Sequence, residues 1–252
     1  MPRSRKSRSA QQPKQPSRKM VKRNKGRNAD HLEAIMPMTP AQEKFFGAYD
    51  SGKCIFAYGC AGTGKSFLAL YLALKEVFDE YSPYEKVYIV RSLVPSREIG
   101  FLPGTHDDKA ELYEIPYKNM VRNMFDLSTD REYQTLYDDL KAQETISFWS
   151  TSFIRGTTLD NAIVIVDESQ NLNFHELDSI ITRVGQDTKI IFAGDVLQSD
   201  LVRDKEKNGI LRFQQILDNM EEFELVEFGV EDIVRSDLVK SYILNKMSLG
   251  IT

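Results

Sequence analysis

Cysteine, histidine and tryptophan are scarce in this chain of 252 residues, which has two, three and one of them. Each scarcity removes a class of protein. Two cysteines, Cys54 and Cys60, cannot staple a fold, so a disulfide framework is excluded and a reducing compartment, the cytoplasm, is expected. His31, His106 and His175 lie far apart without metal-ligand spacing, which leaves no metal site made by protein ligands alone. Long apolar runs are missing too. Stretches such as 162–166 and 189–194 have strand length, where a membrane helix needs about 20 residues, and the N-terminus lacks the apolar core of a signal peptide. A soluble globular protein with no membrane partner is expected.

Acidic residues are missing from one region only. Residues 1–28 contain eleven Lys or Arg and no Asp or Glu, whereas the remainder carries 22 basic residues against all 37 acidic ones, a net charge of −15. The basic segment is rich in Ser, Gln, Pro and Asn and nearly free of large apolar side chains, so it cannot offset the entropy of folding. A disordered basic tail is expected over 1–35. Such a tail binds nucleic acid by counterion release or improves solubility, and the first is favoured because the body argues independently for a nucleic-acid partner.

The strongest positive signal is Gly59-Cys60-Ala61-Gly62-Thr63-Gly64-Lys65-Ser66. This is a complete phosphate-binding loop, preceded by the apolar run 54–58 and followed by apolar residues at helical spacing from Phe67 to Val77. Strand before and helix after is the arrangement that aims backbone N–H groups and a helix N-terminus at phosphate oxygens. Lys65 would meet the β- and γ-phosphates of a bound nucleotide, and Ser66 would ligate Mg2+. Residues 59 to 66 are therefore cofactor-binding candidates. Cys60, within the loop, reads as a small filler rather than a redox switch, since nothing else in the sequence points to thiolate chemistry.

Along the body, strand and helix patterns alternate. A helix is expected over 39–50 with Thr39 as N-cap and Pro40 at its first position, then strand 53–58, helix 65 to about 80, and strand 86–90. Residues 91–105 form a loop and 106–141 two helices, an insertion around 91–141. Short strand 145–149, strand 162–167, helix 173–183, strand 188–194, helix 209–219, strand 223–228 and helix 237–247 follow. Continuous apolar strands separated by helices mean an α/β fold whose mostly parallel sheet is covered by helices on both faces. Residues 36–252 are read as a single nucleotide-binding domain.

Strand 162–166 runs into Asp167-Glu168-Ser169-Gln170, which places two acids at the carboxyl end of a parallel strand, where ligands bind. Asp167 would hold Mg2+ directly or through water, and Glu168 would polarise the attacking water. The next strand ends in Gly194-Asp195-Val196-Leu197-Gln198. Asp195 and Gln198 would lie near the same phosphate edge, where an amide can sense the γ-phosphate.

Asp-Glu-x-Gln and Gly-Asp-x-x-Gln behind this loop resemble superfamily 1 helicases, and the surrounding words resemble the PhoH family. The matching words are Ile99-Gly100-Phe101-Leu102-Pro103-Gly104, Phe153-Ile154-Arg155-Gly156-Thr157-Thr158-Leu159, 164–171, Thr182-Arg183-Val184-Gly185, 194–198 and 230–236. One departure is Ser169, where the family word has alanine, a small-for-small exchange that leaves the carboxylates in place. The resemblance covers roughly 37–247. It implies a RecA-like P-loop NTPase core, ATP binding and hydrolysis, and helicase-like action on RNA or single-stranded DNA. It further implies that Gln42 reads the adenine edge and that Arg235 contacts the γ-phosphate, with Arg155 and Arg183 as lesser candidates. A homo-oligomer, in the form of a hexameric ring, and kinship with small bacteriophage members belong to the same resemblance. Only one RecA-like half fits in this length, so strand separation by a monomer is not expected. The competing reading is a nucleotide or small-molecule phosphotransferase, which explains the loop but not the acid and glutamine words. A nuclease finds no extra length. The loop from Arg91 to Lys109, with Arg97, is the leading nucleic-acid candidate.

Overall fold

The computed structural model describes residues 29–92, 106–151, 154, 156–195 and 204–249, with the side chains of 106–112 and 204–208 left aside. Six strands form one sheet: β1 (Cys54–Gly59), β2 (Lys86–Arg91), β3 (Ile146–Ser150), β4 (Ala162–Val166), β5 (Thr188–Gly194) and β6 (Phe223–Phe228). All pairings are parallel, in the order β3-β2-β4-β5-β1-β6. Seven α-helices accompany them among the described residues: α1 (Pro40–Asp50), α2 (Lys65–Phe78), α3 (His106–Arg122), α4 (Asp130–Ala142), α5 (Phe174–Ile181), α6 (Asp204–Asp218) and α7 (Asp237–Ser248). No described helix is long and apolar enough to cross a membrane.

Alternation along each strand feeds two cores. Ile55, Ala57, Val87, Ile89, Ile163, Ile165 and Ile191 face α1 to α4, while Phe56, Val90, Val164, Val166, Ile190 and Phe192 face α5 and α6. All five residues of β4 are buried, which is why this segment reads as a continuous apolar run. Each such side chain contributes about 1.5–3 kcal/mol relative to exposure. On the second face Phe192 and Phe213 meet edge-on at 5.0 Å between ring centres, locking α6 to the sheet.

The chain leaves β1 toward β2 on one side of the sheet and leaves β5 toward β6 on the other. The crevice between the carboxyl ends of β1 and β5 is therefore the ligand position for this topology. Helices α3 and α4 form the crossover from β2 to the edge strand β3, the 91–141 segment expected as a helical insertion.

Most boundaries fall within about two residues of expectation, and three departures have physical reasons. Residues 29–35, assigned to the disordered tail, are docked: Leu32 bridges Phe125, Glu33 N–H donates to Met124 O at 2.8 Å, and Ile35 N–H donates to the Tyr71 hydroxyl. Leu32 and Ile35, two apolar residues in a polar stretch, pack on the core and anchor it. The tail proper, 1–28, lies outside the described residues. Helix α6 begins at Asp204 rather than 209, because Gly209 sits within it at a close approach to Phe174 and marks no helix start. Strand β2 extends through Arg91, which carries that arginine to the edge of the crevice.

Candidate nucleotide site

The phosphate loop closes around its own lysine. Lys65, buried at the first turn of α2, donates from Nζ to Cys60 O at 2.6 Å, Gly59 O at 3.2 Å and Thr63 Oγ1 at 3.3 Å, so the ammonium sits at the loop's centre. Gly64 caps α2 with a left-handed backbone, φ +89°, and carries no side chain over the helix N-terminus. Burial pulls the Lys65 pKa below the ordinary lysine value, and the charges of Asp195, Asp167 and Glu168 oppose that pull. Burial and the Asp195 carboxylate push the Cys60 thiol up, which keeps it protonated and supports the filler reading.

Two further segments hold the loop in shape. Gln42, from the first turn of α1, accepts from Met38 N–H at 2.8 Å and donates to Thr63 O at 3.0 Å. It is 3% exposed, so a solvated glutamine is excluded, and in this geometry its amide braces the loop. From the other end of the chain, Val234 N–H donates to Gly62 O at 3.1 Å and the Arg235 side chain lies over Gly62, with Cγ about where a Cβ would collide at 3.0 Å. Asp232 fastens this segment, accepting from Ala41 N–H at 3.3 Å and from Gly229 N–H at 2.8 Å. Arg235 thus meets the phosphate loop of its own chain. Arg183 follows α5 and lies beside Leu159, at the opposite end of the strands from that loop, where it cannot reach the site of its own chain. Arg155 and Gln198 lie outside the described residues.

Asp167 and Glu168 follow directly on the carboxyl end of β4. Ser66 Oγ donates to Asp167 Oδ1 at 2.6 Å, which brings together the two candidate metal ligands across 101 residues of sequence. Glu168 has a left-handed backbone, φ +52°, which for a non-glycine residue is strain of the kind that collects at functional sites. That turn leads from β4 into the short turn Ser169–Asn171. Gln170 Nε2 donates to Glu168 Oε2 at 2.6 Å, while its oxygen accepts from Asp195 N–H at 2.9 Å, strapping the end of β4 to the end of β5. Arg91 faces Glu168 at 3.8 Å. Burial and the neighbouring Asp167 charge push the Glu168 pKa up, and Arg91 and Gln170 offset part of this.

A cavity of about 440 Å³ joins these parts, lined by residues 61–66, Arg91, Asp167, Glu168, Gly194, Asp195 and Arg235, with Pro116, Tyr117 and Met120 of α3. Ser66 and Asp167 present hard oxygen donors side by side, the chemistry Mg2+ takes together with substrate phosphates. Among the described residues no group of three or more His, Cys, Asp or Glu is placed to hold an ion without such help. Arg91, at the start of the loop expected to contact nucleic acid, lines this cavity. Arg97 and the Lys109 side chain lie outside the described residues. Tyr117 escaped the sequence reading: its hydroxyl donates to Asp167 Oδ2 at 2.6 Å. The available signal was Tyr113 and Tyr117 at a four-residue spacing within an otherwise polar helix.

With the phosphate loop after β1, paired acids after β4 and β5 lying between these strands, the fold and site define a RecA-like P-loop nucleotide-binding protein. The family model described as PhoH-like protein matches residues 34–246, and the chain belongs to that family. Relatives include the PhoH-like protein of Mycobacterium leprae, 29% identical over 212 residues, and protein PhoH of Escherichia coli K12, 31% identical over 218 residues. Each alignment covers 84% of this chain and 58% of the relative, so the chain spans about three-fifths of the length of these curated proteins. Among solved structures, Pif1 from a Bacteroides species and Pif1 helicase from Candida albicans align over 84% of this chain and 46% and 44% of theirs. Both are 17% identical, with TM-scores of 0.37 and 0.40, a likeness too slight to carry an argument on function.

Proposed function

We propose that this protein hydrolyses ATP with Mg2+ while engaged with RNA or single-stranded DNA. The observation that carries the reading is the 2.6 Å contact between Ser66 of the phosphate loop and Asp167, with Glu168 adjoining it on the same cavity. In this reading residues 59–66 wrap the phosphates, Lys65 neutralises charge on the β- and γ-oxygens, and Ser66 and Asp167 hold the metal, which would supply Lewis-acid stabilisation of the transferring phosphoryl group. Glu168 accepts the proton of the attacking water, and Gln198, which follows β5 in the sequence, senses the γ-phosphate. Arg235, already against the loop, supplies positive charge on the far side of the γ-phosphate. The Asp195 carboxylate opposes the pull of burial on the Lys65 ammonium. Gln42 braces Thr63, and contact with the adenine edge is the role that the family resemblance gives it.

Eleven basic residues in 1–28 beside an acidic body support a polyanionic partner held by counterion release. Homo-oligomerisation belongs to the same reading. Helix α7, shortly after Arg235, has no buried residue and exposes Leu238 and Tyr242 at 81% and 67%, with Leu249 directly after it at 72%. A ring built through that face would place a neighbour beside each nucleotide site. The test is steady-state ATP hydrolysis with and without poly-RNA or single-stranded DNA. Stimulation by the polymer supports the reading, whereas a rate that follows a small-molecule acceptor instead would replace it with phosphotransfer.

A further inference from the structure

Helix α3 reaches the nucleotide cavity with one face. Tyr113 and Tyr117 stand one turn apart on it, and Pro116, Tyr117 and Met120 line the cavity wall. Tyr117 is 2% exposed, its ring packs on Phe148 of β3 at 5.4 Å, and its hydroxyl donates to Asp167 Oδ2 at 2.6 Å. The opposite oxygen of the same carboxylate accepts from Ser66, also at 2.6 Å. Asp167 is itself 5% exposed, so these two hydroxyls fix the plane of a carboxylate that has little water to turn in. The second acid is addressed from the same face: the Arg91 guanidinium, which pairs with Glu168, lies 6.0 Å from the Tyr113 ring centre.

We propose that Tyr117 is a positioning residue for the metal-side carboxylate. By occupying Oδ2 it leaves Oδ1, the oxygen shared with Ser66, aimed at the metal position, and it ties that orientation to the placement of α3. The inference rests on the magnesium–nucleotide reading of this cavity. Hydrogen bonds that orient a ligating carboxylate typically govern metal affinity by 10–100-fold.

The experiment is a titration of the binding of a fluorescent ATP analogue with Mg2+, repeated with Mn2+ binding followed by electron paramagnetic resonance. It compares wild type, Tyr117→Phe and Tyr133→Phe. Tyr133 donates to Lys118 O on α3 away from the cavity, so its hydroxyl loss reports on a merely loosened helix. Tyr117→Phe is expected to bind the analogue in EDTA within twofold of wild type, but to need about 10-fold more Mg2+ for the metal-dependent gain and to bind Mn2+ correspondingly more weakly. Tyr133→Phe should leave both midpoints in place. A Tyr117→Phe midpoint within twofold of wild type, or an equal shift in Tyr133→Phe, overturns the inference while leaving the functional reading intact. Absence of any Mg2+-dependent gain in wild type overturns the functional reading, and this inference with it.

Discussion

Replacing Gly59 with alanine should damage the protein through backbone alone. Gly59 is the last residue of β1 and has φ +121°, a region closed to residues with a Cβ. An added Cβ would stand 2.1 Å from Phe228 O and 3.0 Å from Phe228 C and N, none of which can rotate away. Restoring an ordinary carbon–oxygen contact of roughly 3.3 Å requires β1 and β6 to part by about 1 Å. That movement breaks the 2.8 Å hydrogen bond from Cys60 N–H to Phe228 O. Conformational strain of about 1–3 kcal/mol and a lost hydrogen bond of about 1 kcal/mol sum to about 2–4 kcal/mol. For a domain of this size each kcal/mol lowers Tm by roughly 2–4 °C, so a drop of about 5–15 °C is expected by thermal unfolding. Because Phe228 leads directly into the segment that carries Arg235, nucleotide affinity should fall as well. Gly64→Ala is the comparison: a Cβ there meets nothing closer than 3.6 Å, and only strain at φ +89° remains. If Gly59→Ala melts within 2 °C of wild type, or is less affected than Gly64→Ala, the close approach of β1 to β6 is not what demands this glycine.

Glu168→Gln should retain nucleotide binding and lose turnover by about 10²–10⁴, as expected for removal of a general base, measured in single-turnover hydrolysis. Since burial and Asp167 raise the Glu168 pKa, the wild-type rate should fall with decreasing pH at values above the ordinary glutamate range, as the base takes up its proton. The same raised pKa favours the fold at low pH and is lost as pH rises through it. Glu168→Gln should therefore melt no lower than wild type at neutral pH, with the difference vanishing in acid; destabilisation confined to neutral pH would contradict this. Arg235 lies on its own phosphate loop, so inactive Lys65→Ala mixed with inactive Arg235→Ala should show no rescue in ATP hydrolysis, and recovered activity would make the arginine act between subunits.

The loop, the acids and the strands were legible because each is written locally. Eight consecutive residues spell the phosphate loop, and the runs 162–166 and 188–194 are apolar because helices cover both of their faces. Strand order was not legible, since parallel neighbours such as β1 and β5 lie more than a hundred residues apart and share no turn. The Tyr117 contact was hidden for a similar reason: nothing in a polar helix says which tyrosine crosses to a carboxylate 50 residues on. The place of Arg91 on the cavity wall was not legible because it depends on one more residue of strand β2 than the apolar pattern marks. Gln42 could be singled out by resemblance, yet its bond to Thr63 O is a tertiary fact.

The phosphate loop is held from both sides in sequence, by Gln42 before it and by Val234 and Arg235 after it, with Asp232 joining those two supports through Ala41. During synthesis the loop is made well before its outer wall, which is delivered only once residue 235 has been added. In the proposed reading the grip on a triphosphate therefore waits on residues far downstream of the motif, and a chain halted between the two carries the motif without the clamp.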